Sequence, residues 1–340
     1  MHTEISAPDS RDAPPASAAA APSGTAARSP LHLGVRTIGL PAAVLVLIVV
    51  FAAQSSVFLT VANFQNVGLQ AAALAMVAFG QCFVVLTAGF DLSVGATASL
   101  VSVVAALIMK DAGIVAGILV GIAAGTAVGL INGLVVARLG VAPFVATLAM
   151  LSIATGMALT LSDGSPVSGL PPGFTSLATE RVAGVPVPVI GALVVFLAGI
   201  VTLHGTRLGR HIYAIGGNLD AARLSGIRVV SITTFAYAVC SMFSAFGGLV
   251  LTARVGSGQP NFAGDLALQS ITAVVIGGVS LAGGQGSIVG VAFGVLFVSI
   301  LANGLNLLGV ASHTQMLVLG LALVAVVVAD KRARARRVDR

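Results

Sequence analysis

The sequence predicts an all-α membrane protein with about ten transmembrane helices, and three observations lead there. Of 340 residues, 57% are hydrophobic and only 8% charged, with mean hydropathy +1.06. Soluble domains carry roughly 25% charged residues, so the 14 charges within residues 37–329 are too few to give a 293-residue body a water-facing surface. The apolar runs are also long, at or near the roughly 20 helical residues that span about 30 Å of hydrocarbon. Finally, the basic residues gather in alternate connections, as the positive-inside rule requires.

In chain order, residues 1–36 form a tail whose first 30 positions hold nine Ala, five Pro and five Ser. Such a segment cannot bury enough surface to order itself, and it lacks the apolar core of a secretory signal. A transmembrane domain follows over 37–329, and a basic tail closes the chain over 330–340. The first span, about 37–55, follows Arg28 and Arg36 and reads as an uncleaved membrane helix. The next four fall at 67–88, 94–109, 113–137 and 143–161. The last five fall at 187–204, 230–253, 267–282, 286–308 and 312–329. Spans three and eight are short and flanked by Gly, which fits broken or re-entrant segments.

With the N-terminus inside, 14 basic residues face the cytoplasm, and Lys110, Arg181 and Arg254 lie outside. Both termini are then cytoplasmic, which demands an even number of crossings. The pair Asn132-Gly133 near the end of span four is echoed by Asn303-Gly304 near the end of span nine. If spans 2–5 repeat as 7–10, the halves enter the membrane in opposite directions, an inverted repeat of the kind that frames a transport pathway.

The composition also excludes several functions. The +6 net charge is concentrated in the tail, without interleaved aromatics, so no nucleic-acid partner is expected. Cys82 and Cys240 both lie in apolar runs, where a thiol behaves as a small hydrophobe. No catalytic or metal-binding constellation is present, and neither Lys110 nor Lys331 belongs to a phosphate-binding loop. Ion-coupled carriers place ionisable groups at membrane depth. Here only Asp91 does so, at the junction of spans two and three. Neutral amides dominate instead, and they suit a neutral polyhydroxyl solute. The candidates for a substrate pathway are Gln81, Asp91, Ser93, Asn132, Gln269, Asn303 and Asn306. Amides also join helices in membrane bundles. Asp91 with Ser93 at the start of span three suits a helix cap.

One cytoplasmic loop, from His204 to Arg228, carries a distinct pattern. Asn218 is a good N-cap, Asp220 sits in a first turn, Arg223 in a last turn, and Gly226 is a C-terminal stop. This predicts a two-turn helix over 219–225, presenting Ala221 and Ala222 beside Leu224. It reads either as a surface helix resting on its own protein or as a plug for a soluble partner's groove.

This loop, Thr206-Arg-Leu-Gly-Arg-His-Ile-Tyr-Ala-Ile-Gly-Gly-Asn218 and on to Ile227, resembles the coupling segment of permeases from ribose-type sugar ABC importers. Gly89-Phe-Asp-Leu-Ser-Val-Gly95, Pro143-Phe-Val-Ala-Thr-Leu148 and Asp163-Gly-Ser-Pro-Val-Ser168 are similar to further segments of that family, in the same order. So are Gly277-Gly-Val-Ser-Leu-Ala-Gly-Gly-Gln-Gly-Ser287 and Asn303-Gly-Leu-Asn-Leu-Leu-Gly-Val310. The resemblance implies a non-catalytic permease subunit of the bacterial inner membrane that binds no cofactor itself. ATP and Mg would act on partner ATPase subunits in the cytoplasm. A second permease subunit would complete the pair, identical or not, and a periplasmic or lipid-anchored binding protein would deliver the sugar. It also implies that Gly217, Asn218, Ala221, Ala222, Leu224, Ser225 and Gly226 approach the ATPase. Where ribose permeases tend to carry Glu and Asp, this chain has Ala267 and Gln269, and Phe90 replaces the usual Ile. The alternative reading is a stand-alone facilitator or channel for small neutral solutes.

Overall fold

The computed structural model describes residues 30–338 apart from Ala263. The expected disorder of the N-terminal tail therefore falls, for residues 1–29, outside the described residues. Helix α1 (Pro30–Gln54) starts ahead of the expected boundary at 37. Thr60 caps α2 (Val61–Leu86), its side-chain oxygen accepting the Asn63 N–H at 3.3 Å. The middle of α2 is enclosed on all sides, and its small residues Ala72, Ala73, Ala78 and Gly80 let neighbouring helices close on it.

Helix α3 (Val94–Ala137) has 44 residues. Straight, it would be about 66 Å long, twice the hydrocarbon depth. It is not straight, because Gly113 reverses the chain at φ 86°, ψ 173°, a conformation open to glycine. The expected spans 94–109 and 113–137 are thus the two arms of a hairpin. Gly117 and Gly121 of the second arm rest on Met109, Ala105 and Val101 of the first.

Helix α4 (Pro143–Leu161) occupies its expected range, with Pro143 in the first turn where its missing N–H costs nothing. A one-turn helix α5 (Pro172–Thr175) and the paired strands β1 (Arg181–Val182) and β2 (Val185–Pro186) lead to α6 (Val187–Ile200). The last helical turns widen into π geometry over Val201–Gly205 before α7 (Arg207–Gly217) and α8 (Leu219–Leu224). Helix α9 (Val229–Val255) ends at Gly256, whose φ of 75° makes a left-handed stop.

Span eight, expected over 267–282 as a short segment that is broken or re-entrant, is broken: α10 (Leu266–Ile276) has only 11 residues. Gly278, Gly283, Gly284 and Gly286 all take positive φ and turn the chain back across 277–287. A half-helix and a glycine-rich loop therefore make up this segment in place of one continuous helix. Helix α11 (Ile288–Leu307) follows, with Ser287 as its cap, and α12 (Ser312–Val338) runs past the expected end at 329.

Among the described residues six helices are long and apolar enough to cross a membrane: α2, α3, α4, α6 with its π extension, α9 and α11. Large apolar side chains point outward from the periphery, among them Leu45, Val115, Phe144, Val194 and Leu321. In water such surfaces would aggregate; in lipid they are solvated. The chain is a helical membrane protein.

Candidate functional site

The first site forms where α2 turns into α3. Asp91 is 0% exposed, and one of its carboxyl oxygens accepts the Ser93 N–H at 2.9 Å and the Ser93 hydroxyl at 2.6 Å. The Ser93 hydroxyl in turn accepts from the Asn132 amide at 2.9 Å, which ties both arms of α3 together. From α9, Ser241 donates to the other Asp91 oxygen at 3.4 Å, and Tyr237 donates to the Phe90 carbonyl at 3.1 Å. Ser93 is the first residue flanking α3, but its side chain makes no capping bond to that helix, and Asp91 accepts from Ser93 alone in this turn.

Gln81 lies against the same helix, accepting from the Cys240 thiol at 3.3 Å, and its buried amide nitrogen has no hydrogen-bond partner. Of the seven pathway candidates, Gln81, Asp91, Ser93 and Asn132 therefore gather around α9. Asn303 sits elsewhere, exchanging two amide bonds of 3.0 Å with Asn63. Gln269 is half-buried and Asn306 exposed.

Several partners were not read from the sequence: Asn63, Tyr237, Ser241 and the glycines that let the helices meet. A signal for the glycines was present, since Gly113, Gly117, Gly121, Gly125, Gly129 and Gly133 recur at every fourth position. Small residues at that spacing form one helix face and admit close backbone approach. Gly125, Gly129 and Gly133 rest on Ser241, Tyr237 and Thr234 of α9.

The second site is the 206–228 connection. Thr206 starts α7 by accepting the Gly209 N–H at 3.2 Å, and Asn218 starts α8 by accepting the Ala221 N–H at 3.0 Å. Ser225 donates to the Ala221 carbonyl at 2.8 Å, and Gly226 leaves the helix at φ 77°. An exposed Asp220–Arg223 pair at 3.8 Å adds little. Helix α8 ends at Leu224, one residue before the expected end. Gly217, Asn218, Ala221, Ser225 and Gly226 are exposed, and Leu224 is 90% exposed. Ala222 departs from expectation: it is 3% exposed because it faces the body of the molecule, not outward beside Ala221.

A helical membrane body with a broken segment, buried polar joints between helices and an apolar knob on a basic connection suits a membrane-transport subunit. Among the described residues no cluster of His, Cys, Asp or Glu that could hold a metal ion accompanies it. The chain matches the family model described as the permease component of branched-chain amino acid transport systems, over residues 63–327, and it belongs to that family. It is 42% identical to the ribose import permease protein of Bacillus subtilis over 293 residues, covering 85% of this chain and 91% of the relative. The D-allose transport system permease of Escherichia coli is 35% identical, over 81% of this chain and 85% of its own length. The galactose/methyl galactoside import permease of Escherichia coli is 33% identical, over 88% and 95%. No solved structure matches. Permease subunits of this type are non-catalytic, and ATP hydrolysis belongs to a separate subunit.

Proposed function

We propose that this chain is the permease subunit of an ATP-driven importer that carries a monosaccharide or related polyol across the bacterial inner membrane. The relatives' names, covering ribose, D-allose and galactose, support the substrate class. The observation that carries the ATP-driven part is Leu224, 90% exposed at the end of a helix capped by Asn218. An ordered helix that leaves a large apolar side chain in water suits a partner's groove, and the basic flanks Arg207, Arg210 and Arg228 suit the cytoplasmic side. The proposed partners are a cytoplasmic ATPase holding ATP and Mg, a second permease subunit, and a binding protein outside.

On this reading the ten segments enter the membrane with both termini cytoplasmic. What supports the inverted repeat is a corresponding pair of neighbours: α9 packs against the α3 hairpin, and α2 against α10 and α11. Gln269 and Asn306 then lie at the outer end and face the solute. Gln81, Asp91, Ser93, Asn132 and Asn303 hold the helices that frame the path.

The test is uptake by proteoliposomes holding the permease with its ATPase and binding protein. The panel is labelled pentoses, hexoses and polyols, including ribose, D-allose and galactose. ATP-dependent uptake that requires the binding protein is expected. Ala221→Glu should uncouple it without unfolding the permease, since Ala221 is exposed. Uptake needing neither ATP nor partners would favour the facilitator instead.

A further inference from the structure

Three stretches of backbone meet directly before the coupling helix, with the Ala88 methyl group among the contacts. They are the end of α2 at Leu86–Ala88, the end of α7 at Gly216–Gly217, and the loop at Gly283–Gly284. The Gly284 N–H donates to the Leu86 carbonyl at 2.9 Å. A Cβ on Gly216 would collide with that same carbonyl oxygen, and one on Gly284 would lie 2.6 Å from the Gly217 nitrogen. A Cβ on Gly283 would lie 2.7 Å from the Ala88 nitrogen. Ala88 itself is held at φ 62°, left-handed backbone that a non-glycine residue adopts at a cost. A fourth tie runs alongside, where the Tyr213 hydroxyl of α7 donates to the Gly286 carbonyl at 3.0 Å. Burial pushes that hydroxyl up to about 12, so it remains a donor at any physiological pH.

The position of this junction gives it meaning. Asn218, the cap of α8, follows Gly217 directly, and its N–H donates to the Ala214 carbonyl at 3.1 Å, which ties the start of α8 to the end of α7. On the other side, Leu86–Ala88 leads within a few residues to Asp91 and the start of α3, and Gly283–Gly284 lies in the loop after half-helix α10. Backbone against backbone is stiff, because no rotamer can absorb a displacement.

We propose that Gly216, Gly283 and Gly284 are positioning residues, the contact by which movement of α8 is delivered at once to the loops 87–93 and 277–287. This rests on the reading of α8 as the ATPase-docking helix. It goes beyond that reading in naming where the movement enters the membrane body. It makes the two loops respond together, not in sequence.

The test separates ATP hydrolysis from uptake in the reconstituted complex of permease, ATPase and binding protein, with labelled ribose, D-allose and galactose as the probe mixture. Gly216→Ala is expected to lose about fivefold or more in sugar taken up per ATP hydrolysed, the lower range of inter-site coupling. Tyr213→Phe keeps the ring and removes one tie, so a smaller loss in the same ratio is expected with an unchanged melting temperature. Gly156→Ala is the control, since a Cβ there meets nothing within 4 Å. A merely structural role for the junction would lower yield or melting temperature and leave the ratio of uptake to hydrolysis intact. Wild-type ratios in both Gly216→Ala and Tyr213→Phe overturn the proposal. Should Gly216→Ala fail to assemble, the ratio in Tyr213→Phe decides alone. Wild-type uptake that needs no ATP overturns the docking reading and the proposal together, which distinguishes the two failures.

Discussion

Asp91 is the residue on which three helical segments converge. Its carboxyl group accepts from the Ser93 backbone, the Ser93 side chain and Ser241, so it joins the α2–α3 turn to α9. Removing an acceptor from a buried site leaves its donors without partners, at about 1–3 kcal/mol. Asp91→Ala is therefore expected to lower the melting temperature of the purified permease in detergent. Asp91→Asn, which keeps one acceptor oxygen, should lose less. Equal stability of wild type and Asp91→Ala would sink the structural role. The sequence made Asp91 conspicuous as the one carboxyl group at membrane depth, and it made Asn218 and Gly226 readable as cap and stop. It left Asn63, Tyr237 and Ser241 unread. Their roles depend on which helices touch, and a periodic apolar run does not say which of its faces meets which neighbour.

At the scale of elements, glycine spacing decides how closely two helices approach. Gly129 faces α9 so tightly that a Cβ would collide with the Tyr237 carbonyl and lie 2.8 Å from the Ser241 Cβ. Gly129→Ala should cost about 1–3 kcal/mol by overpacking. Gly156→Ala, open on α4, should be neutral or gain up to about 1 kcal/mol from helix propensity. Thermal unfolding of the two variants side by side checks this, and equal loss in both would show that packing against α9 is not the cause. Helix α4 was legible to the residue because Pro143 opens it and apolar residues fill it. Span eight was legible as a broken segment from its length and flanking Gly, but not the point of the break. Its apolar run continues through Val279, yet the helix ends at Ile276, ahead of Gly277 and Gly278, and hydropathy carries no penalty for irregular backbone inside the protein. The α3 hairpin was legible as two spans because a single helix of its length overshoots the bilayer.

For the whole molecule, the orientation expected from the distribution of charge can be read chemically. The native thiols Cys82 and Cys240 are both 0% exposed, so a bulky maleimide reagent finds little background on the folded protein. New cysteines can therefore be placed one at a time at exposed loop positions. Asp111 and Glu180 sit in connections expected outside, and Arg138 and Asp220 in connections expected inside; all four are exposed. In intact cells a membrane-impermeant maleimide should label Asp111→Cys and Glu180→Cys. It should reach Arg138→Cys and Asp220→Cys only after the membrane is opened. The reverse pattern would place α8 on the outer face, away from any ATPase, and remove the docking reading with it. Labelling of Asp111→Cys and Arg138→Cys from the same side would instead mean that residues 113–137 do not cross, which breaks the even count of spans. The experiment needs neither substrate nor partner, so its answer is independent of which sugar the transporter carries.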